Sequence, residues 1–123
     1  MRLGGAKFTA YRTALFQRVR LLDSIDYPQI KKSLDPLVNR QQIFSSGEAS
    51  GASGSFFFFS HDNRFIVKTM TKEELELACK HLPRLYRHYV SNPDSLIARI
   101  YGVFSIRQKG FKKVHLIVMK NTL

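Results

Sequence analysis

The chain predicts an α+β fold, a mostly antiparallel sheet with covering helices, and three stretches carry that prediction. The first is Gly51 to Thr69, GASGSFFFFSHDNRFIVKT, where a small-residue loop enters four consecutive phenylalanines, turns at His61-Asp62-Asn63 and returns through an alternating run. β-prone residues on both sides of Asp and Asn, which tolerate turn conformations, read as a hairpin. The second is Thr71 to Glu74, a capping-box pattern that opens a helix with Leu75, Ala78, Cys79 and Leu82 as its buried stripe. The third is a pair of strand candidates, Leu96 to Ile106 and Val114 to Met119, separated by a turn at Gly110.

In chain order, Phe8, Tyr11, Leu15, Val19 and Leu22 recur at spacings of three or four, which predicts an amphipathic helix from Phe8 to Leu22. Its basic residues fall mostly off that apolar face and form either a solvated side or one that approaches an anionic membrane. Tyr27-Pro28 and Asp35-Pro36 mark a connector with a short helix around Gln29 to Leu34. Gln41 to Phe44 begins a strand before the Gly, Ala and Ser run that ends at Ser55. That run leads without punctuation into Phe56 to Phe59, which argues for a structured loop over a flexible linker. In the returning strand, Phe65 and Val67 share one face while Ile66 and Lys68 share the other. A lysine there either snorkels to water or pairs with a carboxylate and a phosphate. Leu82-Pro83 is expected to interrupt or kink the helix after Thr71, and Tyr86 and Tyr89 continue its apolar side. Cys79 reads as a small core residue, and His81 and His88 as surface residues without other ligands at metal spacing.

The 123 residues with 44% apolar content suffice for one small domain, and 20 Lys and Arg against 9 acids give a net charge of +11. Such a surplus calls for an anionic partner: a phosphate ligand, an acidic membrane surface or nucleic acid. The phenylalanine run lacks the interleaved basic residues of a stacking platform, which argues against nucleic acid. No apolar run approaches the length of a membrane span, and one cysteine excludes an internal disulfide. The expectation is a cytoplasmic chain, peripheral to the cytosolic face of membranes. Five basic residues precede the first acid, Asp23, which also describes an organellar presequence.

Five pieces in order resemble the phosphatidylinositol phosphate kinase family. GASGSFFFF with DNRFIVKT is similar to its nucleotide loop and lysine strand, and TKEELE with LPRLYRHYVSNPDSLIARIYGVF to its helix and following strand. VHLIVMKNTL resembles the last strand and hinge, and FQRVRLLDSIDYPQIKKSL the segment leading into the lobe. The resemblance implies a kinase-like N-terminal lobe over residues 41–123, preceded by an N-terminal helical segment over 1–40, with the C-terminal lobe absent. It implies ATP as cofactor. Gly51, Ser53, Gly54 and Ser55 would lie over its phosphates, Lys68 would hold them, and Glu74 would orient Lys68, with Glu73 and Glu76 as alternatives. Ile117, Val118 and Met119 would border the adenine, with hinge hydrogen bonds near Lys120 and Asn121.

The metal-binding acids and catalytic base of kinases come from the second lobe, so Mg²⁺ has no site and no catalytic residue is expected within this chain. A lipid kinase is therefore expected only when a C-terminal lobe completes it, acting on phosphoinositide at an anionic membrane, and this chain alone is expected to be inactive. The alternative is a non-catalytic kinase-lobe remnant whose C-lobe-facing surface is covered by a protein partner in a larger assembly.

Overall fold

In the computed structural model, which describes residues 2–3, 6–33, 57–60, 62–107, 109–110 and 112–121, six strands form one sheet. They are β1 (Arg2–Leu3), β2 (Ala6–Ala10), β3 (Phe57–Phe59), β4 (Phe65–Met70), β5 (Ile100–Arg107) and β6 (Val114–Lys120). Their order is β1-β2-β5-β6-β4-β3, and every described pairing is antiparallel. Three helices accompany them: α1 (Thr13–Leu22), α2 (Tyr27–Ser33) and α3 (Lys72–Ser91). This is the α+β architecture the sequence predicts. The strand expected at Gln41 to Phe44 and the loop through Ser55 lie outside the described residues.

Residues opposite one another in an antiparallel ladder project to the same side of the sheet. Phe8 faces Ile106, Ala10 faces Phe104, Phe104 faces Leu116, and Val118 faces both Gly102 and Val67. These residues form one face, and all of them except Ala10 are buried. Helix α1 lies over that face with Phe16 and Val19 fully inside. The register shifts at Tyr101, between Ile100 and Gly102, and the Tyr101 ring meets Phe65 edge-on at 5.8 Å. Gly102 is required by its neighbour, since a Cβ there would stand 2.5 Å from the Phe104 ring. Helix α3 covers one end of the opposite face, where Leu75 and Cys79 approach His115.

The helix expected from Phe8 to Leu22 is instead a strand followed by a helix. Phe8 and Ala10 alternate with Lys7 and Thr9, so a period of two competes with the period of three to four over this short window, and pairing with β5 decides it. Arg12, at φ 49° and ψ 44°, turns the chain between the two elements. Helix α1 then buries Phe16, Val19 and Arg20, leaving Leu22 exposed. Of the interruption or kink expected at Pro83, the interruption does not occur, because α3 runs through it. Proline removes one backbone hydrogen bond, but Pro83 is exposed while Leu82 and Tyr89 on either side are buried in the same core, so packing of the apolar stripe offsets the loss. The strand expected from Leu96 begins at Ile100. Leu96 is fully exposed, because Ser95 to Arg99 belongs to the loop that Tyr89 anchors through a 2.8 Å hydrogen bond from its hydroxyl to the Ala98 carbonyl.

Candidate functional site

Strand β4 presents Phe65, Val67 and Thr69 to the helix α1 side, all buried, and Ile66 and Lys68 to the other side, both half-buried. The ladder sets Lys68 opposite Ile117 and Ile66 opposite Met119. An ammonium group therefore sits among Ile66, Ile117 and Met119 on one partly covered face, as the alternation FIVKTM requires. Strand β3 flanks it, with Phe57 paired to Lys68 along the backbone. Among the described residues no carboxylate lies within ion-pair distance of Lys68; the one ion pair joins Arg99 to Asp23 at 3.5 Å.

The hairpin that carries Lys68 is fixed by its own turn. Asp62 Oδ1 accepts from Ser60 Oγ at 2.7 Å and from the Arg64 N–H at 3.3 Å. Its Oδ2 accepts from Ser33 Oγ at 2.5 Å, tying the end of α2 to the hairpin. Asn63 takes the left-handed conformation at φ 59°, which suits asparagine in a tight turn. Its carbonyl accepts from Asn121 Nδ2 at 2.7 Å, so the residue after β6 holds the β3–β4 turn. The Lys120 N–H donates to the Arg99 carbonyl at 3.0 Å and is thus committed within the protein.

Helix α3 starts beside this face with a complete capping box. Thr71 Oγ1 accepts from the Glu74 N–H at 3.1 Å, and Glu74 Oε1 accepts from the Thr71 N–H at 3.0 Å. Glu73 and Glu74 lie in the first turn, where acidic groups complement the helix dipole. At the far end of the same sheet face, Tyr11 OH, Ser105 Oγ and His115 Nδ1 form a chain of 2.9 and 2.6 Å hydrogen bonds. Burial lowers the His115 pKa, and Lys113 and Lys72 lower it further. Burial also pushes the Cys79 thiol up, as suits a packing residue.

Of the residues singled out in the sequence, Lys68 and Met119 meet on one face, Asn121 caps its end, and Glu74 occupies the first turn of the adjoining helix. Gly51, Ser53, Gly54 and Ser55 lie outside the described residues. Asp62 and Asn63 form the turn that the sequence predicts, and one residue was not anticipated: Arg20 as a buried cation. The signal for it is the spacing of three and four from Phe16 that Val19 and Arg20 share.

The same residues match known proteins. The family model described as phosphatidylinositol-4-phosphate 5-kinase matches residues 38–123. A probable phosphatidylinositol phosphate kinase of Dictyostelium discoideum is 36% identical over 119 residues, covering 96% of this chain and 17% of that protein. A phosphatidylinositol 4-phosphate 5-kinase of Schizosaccharomyces pombe is 35% identical over 94% of this chain and 15% of that protein. A phosphatidylinositol 4-phosphate 5-kinase-like protein of Mus musculus is 34% identical over 85% of this chain and 26% of that protein. The chain thus spans between about a seventh and a quarter of the length of these relatives. With a sheet and capped helix of the expected kind and a family match over most of its length, the chain belongs to the phosphatidylinositol-4-phosphate 5-kinase family.

Proposed function

We propose that these residues form the ATP-binding N-terminal lobe of a phosphatidylinositol phosphate kinase, which transfers the ATP γ-phosphate to the inositol ring of a phosphoinositide. The observation that carries this reading is the register that sets Lys68 among Ile66, Ile117 and Met119 on a half-covered face. An ammonium group held on an apolar sheet face suits a ligand with a flat apolar ring and an anionic tail. Lys68 holds the phosphates, with Gly51, Ser53, Gly54 and Ser55 above them, and Ile117 and Met119 border the adenine. The Lys120 N–H is already given to Arg99, so hinge hydrogen bonds fall to the Lys120 carbonyl and to the Asn121 backbone. Among the described residues no carboxylate reaches Lys68, so its orientation by Glu74, with Glu73 and Glu76 as alternatives, takes a side-chain movement, for which the capping box leaves one Glu74 oxygen over. Residues 41–123 carry the nucleotide-binding part of the lobe, and residues 1–40 are its N-terminal segment, whose strand β2 and helix α1 complete the sheet and core.

The excess of 11 positive charges favours work at the cytosolic face of an anionic membrane, as a peripheral protein. No helix among the described residues is long and apolar enough to cross a membrane. Within these 123 residues no acids are expected to hold Mg²⁺ beside a separate base, and they do not transfer phosphate by themselves.

Titrating ATP against the chain and its Lys68→Ala and Glu74→Gln variants tests the site. Saturable ATP binding that weakens about tenfold or more in Lys68→Ala supports it; binding unchanged by that substitution removes it. Glutamine keeps the capping box, so weaker ATP binding in Glu74→Gln without loss of helix stability assigns Glu74 to Lys68. With Mg²⁺ and phosphoinositide vesicles, turnover above the Lys68→Ala control would overturn the claim of inactivity. The half-exposed Met119 and Ile66 favour a second reading, in which a protein partner covers this face in a larger assembly.

A further inference from the structure

The sheet face turned away from Lys68 holds a half-open cavity of ≈ 560 Å³ between α1, α2 and β5. Its walls are mainly apolar, with Phe16, Leu21, Tyr27 and Phe104 prominent among them. Arg20 lines it and is only 5% exposed. One guanidinium nitrogen, Nη1, donates to the Tyr101 carbonyl at 2.9 Å, and the Tyr27 ring centre lies 5.4 Å from the guanidinium carbon. The Nε–H is buried without a hydrogen-bond partner, and among the described residues no carboxylate forms an ion pair with Arg20. Asp26 stands at the cavity's edge, exposed, where its Oδ1 accepts the Gln29 N–H at 2.9 Å at the start of α2.

A buried guanidinium stays charged, because its intrinsic pKa is too high for burial to neutralise it at neutral pH. Taking that charge out of water against one carbonyl and the face of the Tyr27 ring, both neutral, leaves the charge without a counterion and the Nε–H without an acceptor. A ligand that compensates the charge is anionic at one end and otherwise apolar to suit the walls. One positive charge, with Asp26 already at the edge, balances a monoanion better than a doubly charged phosphate. We propose that this cavity binds a single-chain apolar carboxylate, its head group beside the Arg20 guanidinium and its hydrocarbon along Phe16, Leu21 and Phe104. The site lies on the opposite side of the sheet from Lys68 and does not depend on the nucleotide reading.

Decanoate, decanol and decylammonium, each below its aggregation concentration, are titrated against the chain by calorimetry. Saturable decanoate binding at one site is expected, with decanol weaker by about tenfold or more, since it cannot neutralise Arg20. Leu21 is 66% exposed, so Leu21→Trp obstructs the cavity without disturbing the core, and it should weaken decanoate by a similar factor. Arg20→Met should bring decanoate and decanol to equal affinity; should that variant fail to fold, Leu21→Trp decides alone. Absence of saturable decanoate binding overturns the proposal, as does decanol binding equal to decanoate in the unsubstituted chain or decanoate binding unchanged in Leu21→Trp.

Discussion

The two faces of the sheet are built from the same strands and differ in what covers them. On the α1 side, Val67, Phe104, Leu116 and Val118 are each 1% exposed or less and a single added Cβ at Gly102 would collide with a ring, so the packing is tight everywhere but at the half-open cavity beside Arg20. On the Lys68 side, Val103 and Ile117 are buried, but Ile66, Lys68 and Met119 remain half-buried. The contrast separates residues held by packing from residues held ready for contact. A sealed stretch records what folding needs, whereas an incompletely covered one that carries a charge, as at Lys68 or in the cavity beside Arg20, indicates where a ligand or partner completes the structure.

Substitutions can break this comparison, and the sealed face should respond most. Leu116→Ala removes a fully buried side chain facing Phe104 and is expected to cost about 2–5 kcal/mol in chemical denaturation, since a cavity there cannot collapse between sheet and helix. Gly102→Ala forces the Phe104 ring to move and should cost about 1–3 kcal/mol by the same measurement. A loss as small as that of an exposed glycine would show that this face is less tightly filled than described. Thr71→Ala removes one half of the α3 capping box and should cost about 1 kcal/mol.

A pH dependence sharpens the other face. His115 has its pKa lowered by burial first and then by Lys113 and Lys72, from an ordinary value of 6.5. The unfolded chain then binds the proton more readily than the folded one. The stabilising contribution is full above the ordinary value of 6.5 and is lost as pH falls through the lowered folded value. Melting temperature should therefore drop more steeply below that point in the unsubstituted chain than in His115→Asn. The smallest stability change belongs to Lys68→Ala, about 0.5 kcal/mol or less, because no ion pair among the described residues depends on it. A large loss there would turn Lys68 from a ligand-holding residue into a structural one.

The parts of this architecture that were legible in the sequence are those with local chemistry. The capping box at Thr71 and Glu74 contains its own hydrogen-bond partners, and the Asp62-Asn63 turn contains its own conformational preference, so both appear where expected. The alternation around Lys68 likewise fixed its side of the sheet. What escaped was decided by distant partners. Phe8 is a strand residue because Ile106 lies opposite it, 98 positions later in the chain, and nothing within Phe8 to Leu22 reveals that pairing. Pro83 stays helical because Leu82 and Tyr89 reach the core, and Arg20 is buried because the Tyr101 carbonyl receives it. Gly51 to Ser55, the loop on which the phosphate reading leans, lies outside the described residues, so that part of the site rests on the resemblance.

The hydrogen bond from Asn121 to the Asn63 carbonyl has a mechanical meaning. It fastens the residue after β6 to the corner from which the lysine strand departs, so a tug on the backbone at Asn121 is felt at the β3–β4 corner without passing through the ladder between β4 and β6. The hairpin is in effect reined at its tip, and the rein is held at the position where the adenine would be read.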